Sequence, residues 1–345
     1  MDTEYKQALA SIHGESVVNV PDWQTCLIDL AIPLPEPEPV LIQSDTEIPM
    51  LHRRNISTVA AAAKVGKTFL VSAIAAAALN DEGFLGFHAP KKMNVLFIDT
   101  EMDGSDTQVV AKRVHLLVGY PININNERFT VLNLREQDAI ARLAIVESAI
   151  DELRPDLVLL DGVVDVCQGS FNEIEPSQKI VTKLAQISTL YNCHVMTCLH
   201  VNKNTQELRG HLGAFLRQKS ELTLLLSRVV DTISYIEVKP IDSRHRPIND
   251  FAFRINNEGL PEMYEPQPKT IRSAKLDGLF SEILPLPTSL NFAELQKKVS
   301  ERAKVQERMA RRKISTALEN GVILKNEAGY YHLPIKQVEN ENLPF

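Results

Sequence analysis

The stretch ISTVAAAAKVGKTFLVSAIAAAAL, Ile56 to Leu79, constrains the fold more than any other part of the chain. It passes from β-type residues through Ala61-x-x-x-x-Gly66-Lys67-Thr68 into a long run of helix formers. Strand, tight loop and helix in that order place a lysine and a hydroxyl at a helix N-terminus, where unpaired N–H groups attract anions. Gly66 supplies a backbone geometry that other residues avoid. Lys67 supplies a cation for β- and γ-phosphates, and Thr68 a hydroxyl for Mg²⁺. The candidate nucleotide-binding loop is Ala61, Ala62, Ala63, Lys64, Val65, Gly66, Lys67, Thr68 and Phe69. Alanine stands first where glycine is commoner, so the reading requires Ala61 to keep a negative φ. The rival reading is a buried alanine helix with an accidental Gly-Lys-Thr. It would set Lys64 and Lys67 three apart on one helix face, and two buried ammonium groups are costly.

Around this loop, from residue 41 to 262, apolar β-type runs alternate with helical patterns. The strand candidates are Ile56–Ala61, Asn94–Asp99, Phe129–Leu132, Leu157–Asp161 and His194–His200. The helix candidates are Lys67–Asn80, Asp106–Val118, Asp138–Leu153 and Pro176–Tyr191. Apolar strands without in/out alternation, separated by helices, indicate an α/β fold with a mostly parallel sheet covered on both faces. Three later runs, Leu222–Ser227, Ile233–Lys239 and Asp250–Ile255, read as an added antiparallel portion. Upstream, PLPEPEPV must be extended, because each proline fixes its own φ and restricts the residue before it. It closes an N-terminal arm, residues 1–40. A linker (263–273), a small helical module (274–335) and a polar tail (336–345) complete the chain.

A nucleotide site needs carboxylates beside its loop. Asp161 ends the apolar run LVLLD, where it can hold Mg²⁺ opposite Thr68, although a strand-ending aspartate also serves as a turn former. The run NVLFIDTEMDG ends in Asp99, Glu101 and Asp103. Glu101 is the candidate general base for the attacking water, against the plain alternative of a solvated acidic turn. His200, ending CHVMTCLH, is a candidate γ-phosphate sensor or else a hydrogen-bonded structural histidine. Beyond it, Lys203 is a candidate DNA contact. Arg209 is a candidate arginine finger acting on a neighbouring copy, with Arg217 and Arg228 competing for that role.

These motifs together resemble the RecA-like P-loop ATPases, and within them the RepA-type hexameric helicases of plasmids and mobile elements. The run LRGHLGAFLRQKSELTLLLSR is similar to that branch's Arg-Gly loop, short helix and following strand. The resemblance spans about Leu41 to Glu262. It implies ATP hydrolysis at subunit interfaces, a ring or filament (a hexamer in this branch) and single-stranded DNA in a central channel. It matches Lys67 and Thr68 to the phosphate and magnesium residues, Glu101 to the catalytic glutamate, Asp161 to the Walker B aspartate and His200 to the sensor. Cofactors would be ATP and Mg²⁺. The loop after His200 is short and carries few basic residues, which argues against strong strand translocation.

The last module reads as three helices, Leu276–Leu284, Asn291–Ala303 and Gln306–Asn320, and a hairpin, similar to a winged helix. Asn291 opens an N-cap pattern. Between Lys297 and Lys313 eight residues are basic and two acidic, in a chain of net charge −7. Lys297, Lys298, Arg308, Arg311, Arg312 and Lys313 are therefore candidate phosphate contacts, with a solvated face or protein docking as rivals.

Cys26, Cys167, Cys193 and Cys198 show no metal-type spacing and read as reduced, buried thiols. No leader pattern and no apolar run near the roughly 20 residues of a membrane span is present, so a soluble, cytoplasmic protein without a membrane partner is expected. Three functions follow as expectations: a DNA-acting motor, a nucleotide-gated regulator or assembly switch, and a DNA-binding scaffold with a degenerate loop. Glu101 and Asp161 argue against the last.

Overall fold

The computed structural model describes residues 22–202, 207–230, 234–266, 270–285, 288–319, 321–326 and 328–334. The chain divides into two units, Met1–Met263 and Tyr264–Phe345.

In the first unit a 3₁₀ turn (Trp23–Cys26) precedes β1 (Pro39–Gln43), β2 (Ile48–His52) and β3 (Asn55–Ala61). Then come α1 (Lys67–Leu79), β4 (Phe87–His88), β5 (Val95–Asp99), α2 (Gly104–Val118), β6 (Phe129–Asn133) and α3 (Ala139–Leu153). After β7 (Leu157–Asp161) follow α4 (Ile174–Leu190), β8 (His194–His200) and α5 (Gly210–Lys219). Strands β9 (Leu222–Val229), β10 (Tyr235–Ser243), β11 (Phe251–Ile255) and β12 (Pro261–Met263) complete the unit.

Nine strands form one sheet in the order β12-β11-β10-β9-β3-β8-β7-β5-β6. From β9 to β6 all neighbours are parallel, so the P-loop strand β3 lies inside the sheet, between β8 and β9. The expected antiparallel portion begins one strand later than the sequence suggests. β9 runs parallel to β3, because α5 supplies the crossover a parallel return needs, and only β10–β12 are antiparallel. Side chains alternate between two cores. Val59 and Ala61 of β3 face α1 and α2, whereas Ile56 and Ala60 face α3, α4 and α5. Burial on both faces explains why these strands read as continuous apolar runs.

Helix α1 has almost no polar face, and its alanines are buried all round, as expected of a helix enclosed by its own domain. Asp103 and Asp138 cap α2 and α3 by accepting from Ser105 N and from Ile140 N and Ala141 N. A three-stranded sheet, β2-β1-β4, was not legible as such. It corrects the proposed arm: Pro39 and Val40 already belong to β1, and Val40 is fully buried. Cys26 is exposed, unlike the other three cysteines, and so departs from the expectation of buried thiols.

The second unit contains α6 (Thr270–Ile283), α7 (Phe292–Ala303), α8 (Glu307–Glu319), β13 (Leu324–Lys325) and β14 (Tyr331–His332). Phe280, Leu295, Val299, Ile314 and Ile323 form its core. Helix α6 starts inside the expected linker. Asn291 and Glu294 make a reciprocal capping box at α7. The hairpin strands pair, and Leu290 adds an antiparallel bridge to Tyr331. The proposed tail, 336–345, lies outside the described residues. No helix among the described residues is long and apolar enough to cross a membrane.

Candidate active site

β3 delivers the chain to the carboxyl edge of the sheet, where open α/β folds collect ligands. Ala61 closes the strand fully buried and is not among the residues with positive φ, so its methyl is accommodated. Lys64 (φ 62°) and Gly66 (φ 125°) take left-handed values, the kinks by which a loop turns N–H groups toward an anion. Lys64 is exposed on this loop and does not lie on the helix, which removes the objection of two buried ammonium groups. Gly66 is required by its φ, and a Cβ there would also meet Ile236 Cδ1 at 2.8 Å. The first backbone N–H of the helix to find a carbonyl is that of Leu70, which donates to Gly66 O (3.1 Å), so the N–H groups before it are left for an anion, as at any helix N-terminus.

Lys67 is the first residue of α1 and is buried. Its ammonium donates to His200 Nδ1 at 3.0 Å. A lysine ammonium can only donate, so Nδ1 is the acceptor and the ring proton sits on Nε2. His200 Nε2 points toward Glu101 Oε2, 3.9 Å away, too long for a hydrogen bond but within electrostatic reach. Partial burial and then Lys67 lower the His200 pKa, which keeps the ring neutral. Thr68 Oγ1 donates to Asp161 Oδ2 at 2.9 Å, so the two candidate magnesium residues already touch. Burial raises the Asp161 pKa first of all, opposed by the Thr68 hydrogen bond and by Lys67.

The three carboxylates at and just beyond the end of β5 divide the work. Asp99 is fully buried; its Oδ1 accepts from Glu101 N (2.9 Å) and Met102 N (3.1 Å), and its Oδ2 from Thr107 Oγ1 (2.5 Å). Asp103 caps α2. Only Glu101 projects into the cavity, on a turn that Asp99 shapes. Partial burial and then Asp161 raise the Glu101 pKa; Lys67 opposes them, and Asp165 and Asp99 add to the rise. Gly162 packs under this turn with φ 102°, where a Cβ would lie 2.0 Å from Thr100 Oγ1 and 3.1 Å from Glu101 Cγ. Gly162→Ala is therefore expected to lower the unfolding free energy by roughly 1–3 kcal/mol, from clash and backbone strain. Urea denaturation checks this; an unshifted midpoint would show that the turn relaxes freely.

The cavity, about 470 Å³, is lined by the loop, Glu101, Asp161 and His200, and by several residues the sequence reading missed. Arg113 of α2 lays its guanidinium over the Phe69 ring at 3.9 Å. Nothing in the sequence singles out Arg113 on an ordinary amphipathic helix. Burial first, and then the neighbouring Asp161 charge, hold the Cys198 thiol well above its ordinary pKa. Its spacing of two from His200 on one strand would have signalled a shared face.

Among the arginines, Arg228 lines this cavity in its own chain, and Arg217 pairs with Asp242 at 2.7 Å. Arg209 precedes α5, exposed, its guanidinium 4.8 Å from the Phe171 ring centre, and its N–H donates to His200 O (3.1 Å). Lys203 lies outside the described residues. In the second unit Lys297 and Lys298 of α7 and Arg308 and Arg312 of α8 are exposed, Lys313 is half-buried, and Arg311 Nε donates to Gln296 Oε1 at 2.9 Å.

A family model described as "AAA domain" matches residues 23–206, just over half of the chain. No curated protein matches it.

Proposed function

The chain belongs to the AAA domain family of P-loop ATPases, and on that premise we propose that it is an ATP-driven motor acting on DNA. Specifically, it is a helicase-like replication or mobilisation factor of a mobile element, of the RepA type, working in the cytoplasm as a ring of copies, six in that branch. The observation that carries this reading is the contact chain Lys67–His200–Glu101 beside Thr68–Asp161. Lys67 and the loop N–H groups bind the β- and γ-phosphates. Thr68 and Asp161 hold Mg²⁺, which when bound neutralises phosphate charge. The Phe69–Arg113 stack offers a flat wall to the base. Glu101 accepts a proton from the attacking water. His200 acts as the sensor: once Lys67 turns to phosphate, Nδ1 loses its donor, and the change reaches α5 through the Arg209 N–H bond to His200 O.

Arg209 is the preferred trans-acting arginine, because it is exposed and outside its own cavity, while Arg228 lines that cavity and Arg217 is tied to Asp242. The second unit, three helices and a hairpin with a bridge from Leu290, supports a winged-helix assignment. Its exposed Lys297, Lys298, Arg308 and Arg312 would meet duplex phosphates. Single-stranded DNA would meet the loop holding Lys203.

A second reading, a nucleotide-gated regulator or assembly switch, is favoured by one feature. The nine residues between β8 and α5 include only Lys203 and Arg209 as basic groups, a meagre grip for translocation. Turnover by the full chain, with and without single-stranded DNA, together with fork displacement, decides between them. The motor predicts DNA-stimulated ATP hydrolysis with unwinding. Turnover indifferent to DNA, with no displacement, would leave the switch. For the second unit, Arg308→Ala with Arg312→Ala is expected to weaken duplex binding and flatten its salt dependence, with unchanged affinity refuting that contact surface.

A further inference from the structure

At the opposite, amino edge of the sheet, three elements bring His52, Glu221 and His245 together. His52 ends β2, Glu221 immediately precedes β9, and His245 follows β10. The Glu221 carboxylate is almost fully buried, and among the described residues its ion pairs are all with imidazoles, His52, His194 and His245. No lysine or arginine among them compensates it. A carboxylate removed from water without a full cation is a costly group, and chains rarely build one without a use for it.

The hydrogen bonds divide these groups by role. His194 has both ring nitrogens engaged: Nδ1 donates to His52 O (2.8 Å), which can only accept, so Nε2 accepts from Ser57 Oγ (2.7 Å). It braces His52 and has no lone pair to offer. Glu221 Oε1 is held by His52 N at 2.8 Å. Glu221 Oε2 faces two ring nitrogens, His52 Nδ1 at 3.0 Å and His245 Nε2 at 3.4 Å. Those spacings match the edge of a tetrahedron around a cation with bonds near 2.0–2.1 Å, about 3.3 Å. One donor atom from each residue falls within a 4.8 Å set. The His52 and His245 rings lie 4.4 Å apart and are tilted by 50°, and the exposed His245 can swing to close the set while its open side admits water.

We propose that His52, Glu221 and His245 form a structural site for a zinc-like divalent cation, with water as fourth ligand. The donor set of two imidazoles and one carboxylate suits zinc better than magnesium or calcium. Binding needs both imidazoles neutral, with the His52 proton on Nε2 so that Nδ1 offers its lone pair. The cation would tie the end of β2 to the start of β9 and the turn after β10, so that the small sheet and the main sheet are stapled at the edge away from the phosphate loop. This proposal is independent of the DNA reading, since none of the three residues lines the nucleotide cavity.

The test uses the full chain, stripped with chelator and held in excess Mg²⁺ so that hard-cation sites elsewhere are filled. Titration with Zn²⁺ against a coloured chelator is expected to show one tight equivalent, and Co²⁺ in its place the visible bands of a tetrahedral centre. His245→Ala, an exposed change that spares the core, is expected to weaken zinc on the order of tenfold or more and to lose the cobalt bands, while ATP turnover in Mg²⁺ stays unchanged. Glu221→Gln provides a second variant with the same expected loss. No zinc uptake by the parent chain, or equal uptake by parent and His245→Ala, overturns the site.

Discussion

A Lys67→Ala chain is expected to show no ATP turnover above background while still folding. The reason is local. Lys67 places a single buried ammonium 3.0 Å from His200 Nδ1, and its charge counters the raised pKa values of both Asp161 and Glu101. No other lysine or arginine of the loop is buried, since Lys64 is exposed. Removing one such electrostatic group from a site of this kind costs on the order of a hundredfold or more in rate, or about 3 kcal/mol of transition-state stabilisation. The effect on stability is smaller and carries a sign. Without the ammonium, Asp161 and Glu101 titrate still higher in the folded chain. A carboxyl raised above its unfolded value makes the folded state bind more protons, so its stability falls as pH rises. Thermal melts should thus show a deficit that grows as pH rises through the range in which the two carboxyls ionise and levels off above it. Steady-state phosphate release checks the main point, and turnover near the parent rate would remove Lys67 from the chemistry.

What the sequence made legible follows from how local each feature is. The strand–loop–helix around Gly66 is specified by consecutive residues, and so are the apolar strands β5, β7 and β8, whose burial on both faces leaves an unbroken apolar signature. The carboxylates were legible as a group but not by role. That Asp99 holds the turn and Asp103 caps α2, leaving Glu101 to the cavity, depends on hydrogen bonds no spacing encodes. Arg113 and Arg228 reach the cavity from elements far apart in the chain, so neither carries a local signal. The same holds for His52, Glu221 and His245, which are spread over almost 200 residues and meet only because β9 returns beside β3. The β2-β1-β4 sheet was hidden by Pro39, which reads as a linker residue yet opens the central strand β1 at its first position, where a missing N–H is tolerated.

Glu101→Gln is expected to separate binding from chemistry. Glutamine keeps the shape and the turn, because Asp99 anchors the backbone N–H of residue 101 and not its side chain. It cannot take a proton from water. Loss of a positioned general base lowers kcat by about 10²–10⁴, while nucleotide affinity, set by the loop and Lys67, should change little. The acid side of the pH profile adds an independent check. Partial burial and the neighbouring Asp161 charge raise the Glu101 pKa, and a base works only when deprotonated. In the parent chain kcat/KM should therefore fall, as pH is lowered, at a higher pH than an ordinary carboxylate would set, and the residual activity of the variant should lack that limb. A solvated acidic turn, the competing description of this segment, predicts neither effect. If kcat of Glu101→Gln stays close to the parent value and the acid limb persists, the base lies elsewhere, and Asp165, hydrogen-bonded to Thr100 beneath the same turn, is the next carboxylate to replace.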